Sequence, residues 1–219
     1  MRNSTLTLAV WVASALFLSC ACLGIRGWAA TARDTAVPMT GPCPEMVTAL
    51  QAGGPHPSLG EQAKVFGRLV GVWDGEYTEY SRDGKETRSS GEWLFGWVMD
   101  GRAMQGLFII DSSAVRKERY FGTTLSYFDS TPGKWSMTFV DPENGAVETL
   151  TGGSIGDDRV VLLSQDTDGK ESRWSFDNVR PDSWVFRDEA SSDGGKTWRI
   201  REVDRMTRRG AAPVGQPTQ

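Results

Sequence analysis

Tight-turn signals divide the sequence from Arg82 to Lys196, most of them ten to fifteen residues apart. Asp-Gly and Asn-Gly recur among them, and these dipeptides supply the positive φ that tight hairpins need. Between the turns the apolar residues recur with period two, the pattern of a half-buried strand. The turns are Arg82–Lys85, Asp100–Gly101, Thr131–Lys134, Pro142–Gly145, Gly156–Asp158, Asp168–Lys170, Arg180–Ser183 and Asp193–Lys196. The sequence therefore predicts a run of antiparallel hairpins.

The segments between the turns predict about ten strands in an all-β fold. They lie near residues 72–80, 86–98, 103–110, 117–128, 134–140, 146–151, 159–164, 171–177, 184–190 and 197–205. Ten antiparallel strands twist strongly, and open edges are costly, so closure into a meander barrel is expected. Leu59, Ala63, Phe66 and Val70 recur at helical spacing after a capping-box pattern at 58–61, which predicts one amphipathic helix of about three turns that ends at Gly71.

The first 32 residues resemble a secretory signal peptide. Arg2 precedes an apolar run from Leu6 to Ile25, and small residues at 30–32 offer a cleavage site. An uncleaved anchor and lipid attachment at Cys20 are the alternatives. We expect an exported protein, periplasmic or secreted, or otherwise membrane-anchored. The domain plan is a signal at 1–32, a Pro/Gly-rich tether at 33–57, a barrel at 58–207 and a disordered tail at 208–219.

Charge and rare residues exclude several classes of site. Removal of residues 1–32 leaves 22 basic and 28 acidic side chains, and such an acidic exported chain is not expected to bind nucleic acid. The sole histidine of the sequence, His56, lies in the tether, so neither a Ser-His-Asp triad nor a histidine-rich metal site is expected. No catalytic residue, metal or cofactor is predicted. Cys43 is the one cysteine outside the signal, and a dimer linked through it is possible.

The segment Ser191–Trp198, SSDGGKTW, has the Ser-x-Asp-x-Gly-x-Thr-Trp spacing of an Asp-box. In sialidase-type propellers this motif recurs from blade to blade. Here it occurs once, and about 150 barrel-forming residues fall well short of six blades of roughly 40 to 50 residues each. The motif is therefore interpreted as a brace for the hairpin between the last two strands.

Aromatic residues form period-two stripes on several predicted strands. Such stripes must share an interior, since their exposure would leave a large apolar patch. A ten-stranded barrel has more interior room than its own side chains readily fill, so the stripes suggest a cavity for a small apolar or aromatic molecule. The expected ligand-binding residues are Trp73, Trp93, Trp97, Trp135, Trp174, Trp184, Phe95 and Phe139.

Two alternatives to a binding protein stay open. A solid barrel core would make the chain a structural or interaction protein that binds a protein partner. A cofactor-free enzyme, of isomerase or cyclase type, would use an inward ionisable residue with a perturbed pKa. Arg173, Arg187, Arg199 and Arg201 lie one residue off the aromatic stripes and are expected mostly to face outward as a basic ladder beside Glu189 and Glu202.

Gly71-Val72-Trp73 at the start of the first strand, after a helix, resembles the calycin arrangement of lipocalins, fatty-acid-binding proteins and nitrobindin-like barrels. The sequence over 66–76, with Met99–Arg102 and Gly122–Asp129, is similar to bacterial proteins of unknown function assigned to that barrel type. The resemblance implies that Trp73 closes one barrel end and that an arginine of the last strand, Arg201 or Arg205, stacks over it. Nitrobindin-like barrels hold haem through a late histidine. No histidine follows His56, so histidine-ligated haem is not expected here.

Overall fold

The computed structural model describes residues 43–113, 117–165 and 170–210. Ten antiparallel strands follow one another around a closed barrel, in which the first strand pairs with the last. The strands are β1 Gly71–Tyr80, β2 Glu86–Val98, β3 Ala103–Ile110, β4 Tyr120–Asp129, β5 Lys134–Asp141, β6 Ala146–Ile155, β7 Arg159–Gln165, β8 Glu171–Asp177, β9 Ser183–Ser191 and β10 Arg199–Arg208. The predicted all-β barrel is confirmed.

Because the strands alternate in direction, their connections fall at two ends. The closed end carries the connections 99–102, 130–133, 156–158 and 178–182, and the helical segment before β1 packs there. The open end carries the connections 81–85, 142–145 and 192–198, and β3 and β7 end there while β4 and β8 begin there.

The helical segment before β1 is shorter than predicted. A 3₁₀ helix spans Pro57–Gln62, and α2 spans Ala63–Gly67. Gly60, at φ 50° and ψ −131°, interrupts the helical backbone, so no continuous three-turn helix forms. His56 caps the segment, since its Nδ1 accepts a hydrogen bond from the Ser58 N–H.

The segment before the barrel is hydrogen-bonded to the closed end. Helix α1, Pro44–Leu50, leads into a bridge between Gln51 and Val98. The Ala52 N–H donates to the Trp97 carbonyl at 3.0 Å, and the His56 N–H donates to the Gly101 carbonyl at 2.9 Å. This part of the predicted tether thus lies along the β2–β3 turn.

Large aromatic side chains fill the closed half of the barrel. Phe66 of α2 is fully buried, with its ring edge-on to Trp135 at a centroid distance of 4.9 Å. Trp73 meets Trp184 edge-on at 5.7 Å. Trp93 lies between the two halves, within 5.4 Å of the ring centroids of both Trp184 and Phe186. Edge-to-face contacts of this kind add specificity to the apolar burial.

Trp73 and Arg208 close the barrel beside the helix. The Trp73 indole N–H donates to the Leu69 carbonyl at 2.7 Å, and the Arg208 guanidinium lies 4.0 Å above the Trp73 ring. The prediction of Arg201 or Arg205 as the stacking partner is wrong. The β1–β10 register pairs Trp73 with Arg208, whereas Arg205 pairs with Glu76 and is exposed, and Arg201 lies at the open end.

Arg208 also ties the last strand to the chain before the first. Its guanidinium donates to the Val70 carbonyl at 2.8 Å and to the Arg68 carbonyl at 3.1 Å. Gly71 makes this approach possible, because its φ is 134° and a Cβ there would collide with the Arg208 side chain. Gly71, the glycine of the Gly-x-Trp pattern, is therefore required both by its positive φ and by the close approach of the Arg208 side chain.

The Asp-box braces the β9–β10 hairpin, as predicted. The Lys196 and Thr197 N–H groups donate to Asp193 Oδ1 at 3.0 and 2.9 Å, and the Gly195 N–H donates to Ser191 Oγ at 2.9 Å. These hydrogen bonds, with the Thr197 side-chain and backbone donors foremost, hold the pKa of Asp193 at about 2. The Trp198 indole donates to the Gly195 carbonyl, which completes the turn.

Several predictions concern residues outside the described part of the chain. The signal peptide at 1–32, lipidation at Cys20, the start of the tether and residues 211–219 of the tail lie there. Within the described ranges, no helix is both long and apolar enough to cross a bilayer.

Candidate functional site

A cavity of about 280 Å³ occupies the open half of the barrel. Aromatic rings form its floor, and they arise from the period-two stripes of five different strands. The floor residues are Trp93, Phe108, Phe139, Trp174 and Phe186. Phe139 lies 5.3 Å from Trp174 and 5.6 Å from Phe108, measured between ring centroids. The floor is therefore a continuous aromatic surface.

Carboxyl side chains dominate the wall above this floor. Six acids line the cavity, together with two tyrosines, Tyr77 and Tyr120, and one arginine, Arg201. The acids are Glu79, Asp141, Glu148, Asp188, Glu202 and Asp204. An apolar floor with a few polar groups above it is the usual composition of a small-molecule site.

A β-bulge at the start of β10 shapes the wall. Ile200 pairs with Glu189 and Glu202 pairs with Asp188, so Arg201 is the extra residue of the strand. A bulge of this kind breaks the strict alternation of faces and re-aims side chains. As a result, both Arg201 and Glu202 line the cavity. The prediction that places these two residues in an outer ladder is therefore wrong, although Arg173 and Glu189 do pair outside at 2.7 Å.

Arg201 is bound to one of the wall acids. Its Nη2 donates to Asp188 Oδ1 at 2.6 Å and to Ser172 Oγ at 2.9 Å. Burial raises the pKa of Asp188, while the Arg201 charge opposes that rise. The pair places one positive and one negative charge at the β8–β9–β10 side of the rim.

Two other wall acids are also bound by neighbours. Asp141 accepts hydrogen bonds from the Asn144 N–H at 3.0 Å and from the Asn144 side-chain amide at 2.8 Å. Burial opposes the ionisation of Asp141, but these bonds outweigh it, and the pKa of Asp141 lies below its usual value. Glu148 accepts a hydrogen bond from the Ser164 hydroxyl.

Glu202 and Asp204 form an acidic pair on β10 without a basic partner within ion-pair distance among the described residues. Burial, together with the charges of Asp188 and Glu79, raises the pKa of Glu202 to about 8. Burial and the neighbouring Glu202 raise the pKa of Asp204 well above its usual value. Tyr77, whose hydroxyl donates to the Glu92 carbonyl at 3.2 Å, is also buried beside the pair, and burial raises its pKa.

Four buried polar atoms at the cavity lack a hydrogen-bond partner: Asp204 Oδ1, Trp93 Nε1, Trp174 Nε1 and Arg201 Nε. Asp204 is 1% exposed and its Oδ1 accepts no hydrogen bond, while Trp93 is 2% exposed and its indole N–H donates none. Buried polar groups are normally satisfied, so such atoms need an explanation. All four residues line the same cavity, which supplies one unfilled acceptor at the wall and unfilled donors at the floor and at Arg201.

The predicted ligand-binding residues all lie inside the barrel, but the structure divides them into two groups. Trp93, Trp174 and Phe139 line the cavity. The others pack in the buried core away from it: Trp73, Trp97, Trp135, Trp184 and Phe95. The wall acids and the tyrosines were not among the residues predicted to line the site. Period-two alternation after Trp184 and Phe186 could have found Asp188, and the same alternation puts Glu202 and Asp204 on one face of β10. No sequence signal indicates the bulge that turns Arg201 inward.

The wall acids do not form a metal site. Among the described residues, no three histidine, cysteine or carboxylate side chains converge closely enough to hold a metal ion. The side chains of the wall can hydrogen-bond, pair charges and exchange protons near neutral pH, because burial and neighbouring carboxylates raise the pKa of Glu202 to about 8.

Comparison with known proteins gives a likeness in structure but not in sequence. No family model and no curated protein matches this sequence. Rv2717c from M. tuberculosis aligns with a TM-score of 0.52 at 15% identity, over 70% of this chain and 98% of that one. An S-type phycobiliprotein lyase from Guillardia theta aligns with a TM-score of 0.51 at 12% identity, over 67% of this chain and 92% of its own. At such identities the likeness concerns the fold alone, and the chain is a ten-stranded, calycin-like β-barrel.

Proposed function

We propose that this chain is an exported binding protein that holds a small apolar or aromatic molecule, unaltered, in the open half of its barrel. The observation that carries the proposal is the aromatic floor beneath an unfilled space. Small-molecule sites typically measure about 300–1,000 Å³, so a cavity of about 280 Å³ suits a ligand of one or two rings rather than a long chain. The S-type phycobiliprotein lyase, a barrel of similar fold, supports the proposal because its name gives a phycobiliprotein as what it acts on.

Native mass spectrometry of the protein purified gently from its own host is the first test. A small molecule that is released when the protein is denatured would identify the occupant. Intrinsic tryptophan fluorescence then reports binding, because Trp93 and Trp174 form part of the floor. A bare mass, together with fluorescence that is unchanged by a panel of one- and two-ring aromatic compounds, would favour a solid-core interaction protein instead.

Two half-buried phenylalanines give a matched pair for this test. Phe139 lines the cavity, whereas Phe128 packs on Trp135 in the closed half at a centroid distance of 6.0 Å. We expect Phe139→Leu to weaken binding of the panel compounds by about tenfold, since it removes a ring from the floor. Phe128→Leu should leave the affinity unchanged. If the two variants weaken binding equally, the loss of affinity reflects a general loosening of the barrel and not the removal of a ring from the floor.

Export is part of the proposal and is supported by the residue pattern of the first 32 residues. The mass of the protein from its own host tests it directly. Cleavage near Ala32 predicts a mature chain that begins at Arg33, and an added diacylglycerol mass at Cys20 would instead indicate a lipid anchor.

The acidic pair favours an enzyme as the second candidate. Glu202 and Asp204 have raised pKa values and line the cavity, which is the arrangement that a general acid or base requires. An isomerase or cyclase would return a changed molecule after incubation with the captured ligand. Recovery of the same compound, by mass and by retention time, would leave the binding protein as the function.

A further inference from the structure

We propose that the cavity selects ligands that carry a positively charged amine on an apolar or aromatic body, with the ammonium group held by Asp204 and Glu202. This inference rests on the proposed function and specifies its ligand class. The body would lie on the aromatic floor, and the ammonium group would replace the missing hydrogen-bond donor at the wall. Four observations support it.

The first observation is the balance of charge around the cavity. Six carboxyl groups and, among the described lining residues, one basic group face the space. Arg201 is bound to Asp188 and Ser172, and Asp141 is bound to Asn144. Little positive charge is left for the other acids, so the wall favours a cation over a neutral or anionic ligand.

The second observation is the unsatisfied oxygen of Asp204. Its Oδ1 is buried and accepts no hydrogen bond, and Glu202 lies on the same face of β10. The rest of the carboxyl group interacts with the Glu202 side chain and the Thr78 backbone, but a buried oxygen without a donor is costly. An ammonium ion supplies three donors and a full charge, and charge-assisted hydrogen bonds are about twice as strong as neutral ones.

The third observation is the floor itself. Trp93 and Trp174 belong to the cavity lining, as do the acids above them. Indole rings are the best natural partners for organic cations, because the ring face carries partial negative charge. An aromatic floor below a carboxyl wall is thus complementary to both parts of an aromatic amine.

The fourth observation concerns the protons held by the Glu202–Asp204 pair. Their release on ligand binding can be measured. Other titratable groups face the pair from every side of the cavity: Tyr77 and Glu79 on β1, Tyr120 on β4, Asp141 on β5, Glu148 on β6, Asp188 on β9 and Arg201 on β10. Burial and the charges of Asp188 and Glu79 keep Glu202 largely protonated at neutral pH, although Arg201 opposes this effect. Binding of an ammonium ion would displace that proton to the buffer, with no bond made or broken in the ligand.

The test compares three ligands of equal size by calorimetry on the full chain. They are 2-phenylethylamine, a cation at pH 7, 2-phenylethanol, which is neutral, and phenylacetate, an anion. We expect the amine to bind at least about tenfold more tightly than the alcohol and the anion to bind most weakly. The affinity for the amine should rise between pH 7 and pH 9 as Glu202 ionises.

Proton release distinguishes this mechanism from simple size selection. At pH 7 the amine should release a fraction of a proton when it binds. The measured binding enthalpy should therefore differ between phosphate and Tris buffers, by that fraction multiplied by the difference between the ionisation enthalpies of the two buffers. The alcohol should show no such difference. Asp204→Asn and Glu202→Gln should each weaken amine binding by about tenfold or more and leave alcohol binding nearly unchanged. Glu76→Gln, an exposed acid on the outer face of β1, is the control and should change neither ligand's binding.

The outcomes separate the ligand class from the binding function. Equal or tighter binding of the alcohol, or tightest binding of phenylacetate, would overturn the amine selection while leaving the cavity as a binding site. Tight amine binding that both wall variants retain would also overturn it. No binding of any of the three ligands, together with a bare native mass, would overturn both proposals.

Discussion

The closed and open ends of the barrel are built from the same ten strands, yet their interiors differ. At the closed end, helix α2 inserts Phe66 into the barrel interior, the Leu69 carbonyl accepts the indole N–H of Trp73, and the Arg208 guanidinium stacks on the Trp73 ring. At the open end, the wall keeps a partnerless Asp204 oxygen above an unfilled aromatic floor. Indole N–H groups lack a partner in both halves, at Trp135 and Trp184 in the closed half and at Trp93 and Trp174 in the cavity, but the open end also leaves a carboxyl oxygen of Asp204 without a donor beside an unfilled space. Such uncompensated groups are typical of a site that binds something else.

The largest difference between the ends should appear when one phenylalanine is removed from each. Phe66→Ala should lower the free energy of unfolding by about 3–5 kcal/mol, because Phe66 is fully buried against Trp135 and a cavity would remain. Phe139→Ala should cost about 1–2 kcal/mol, since one side of its ring already faces an unfilled space. Urea denaturation of both variants measures the difference. Similar losses would mean that the open end is packed as tightly as the closed end.

Arg208 gives a smaller and more specific test of closure. Arg208→Lys keeps the charge but loses the planar contact with Trp73 and the forked donation to Val70 and Arg68. We expect a loss of about 1–2 kcal/mol from the free energy of unfolding. Arg205→Lys, on the exposed face of the same strand, should change it by less than about 0.5 kcal/mol. If the two variants match, the stacking contributes little to stability.

The closed end could be predicted more fully from the sequence than the open end. Turn signals rich in Gly, Asp and Asn, together with the alternation of aromatic residues, predicted most strand boundaries to within two residues. The sequence Gly71-Val72-Trp73 predicted a stacked tryptophan at the barrel end. The stacking arginine was misassigned because β10 runs to Arg208, three residues beyond its predicted end. The register across the β1–β10 seam joins residues that are far apart in the sequence, such as Trp73 and Arg208, and turn signals carry no information about it.

The open end was missed for two physical reasons. A strict period of two turns Arg201 outward, and the bulge that brings it to the cavity has no distinctive residue, such as a glycine, to mark it. Asp188, Glu202 and Asp204 do follow the inward alternation, but carboxyl groups are rarely buried without a partner. The general preference of carboxyl groups for solvent therefore predicts that these acids lie on the surface. In the structure the acids that depart from this preference line the cavity.

The acidic pair predicts that the stability of the protein falls as the pH rises. The pKa of Glu202 is about 8 in the folded chain against 4.5 as its ordinary value, so the folded state holds this proton more tightly between those values. Stability is then highest below about pH 4.5 for this group and is lost as the pH approaches 8. We expect a decrease of about 1–2 kcal/mol across that window. Asp141 and Asp193, whose pKa values are lowered, act only at lower pH.

Thermal denaturation at several pH values tests this prediction. Glu202→Gln should flatten the profile between pH 5 and pH 8, whereas Glu76→Gln on the outer face of β1 should retain it. A profile that rises across the window, or one that both variants share, would show that the pair is ionised at little cost in the folded chain.

The smallest effect is expected at the Asp-box, which stiffens one loop of the open end without filling the barrel. Asp193→Ala removes the acceptor of the Lys196 and Thr197 N–H groups, while the Gly195 N–H keeps its bond to Ser191 Oγ. Hydrogen exchange at Lys196 and Thr197 should quicken by about tenfold or more, because these amides lose their protecting bonds. Amides in the middle of β10 should exchange as before, and the global midpoint of unfolding should move least among these variants. Ser192→Ala, in the same turn, is the matched control. Faster exchange throughout β10 would instead mean that the hairpin helps to hold the last strand in the barrel, and the open end would then be braced as firmly as the closed one.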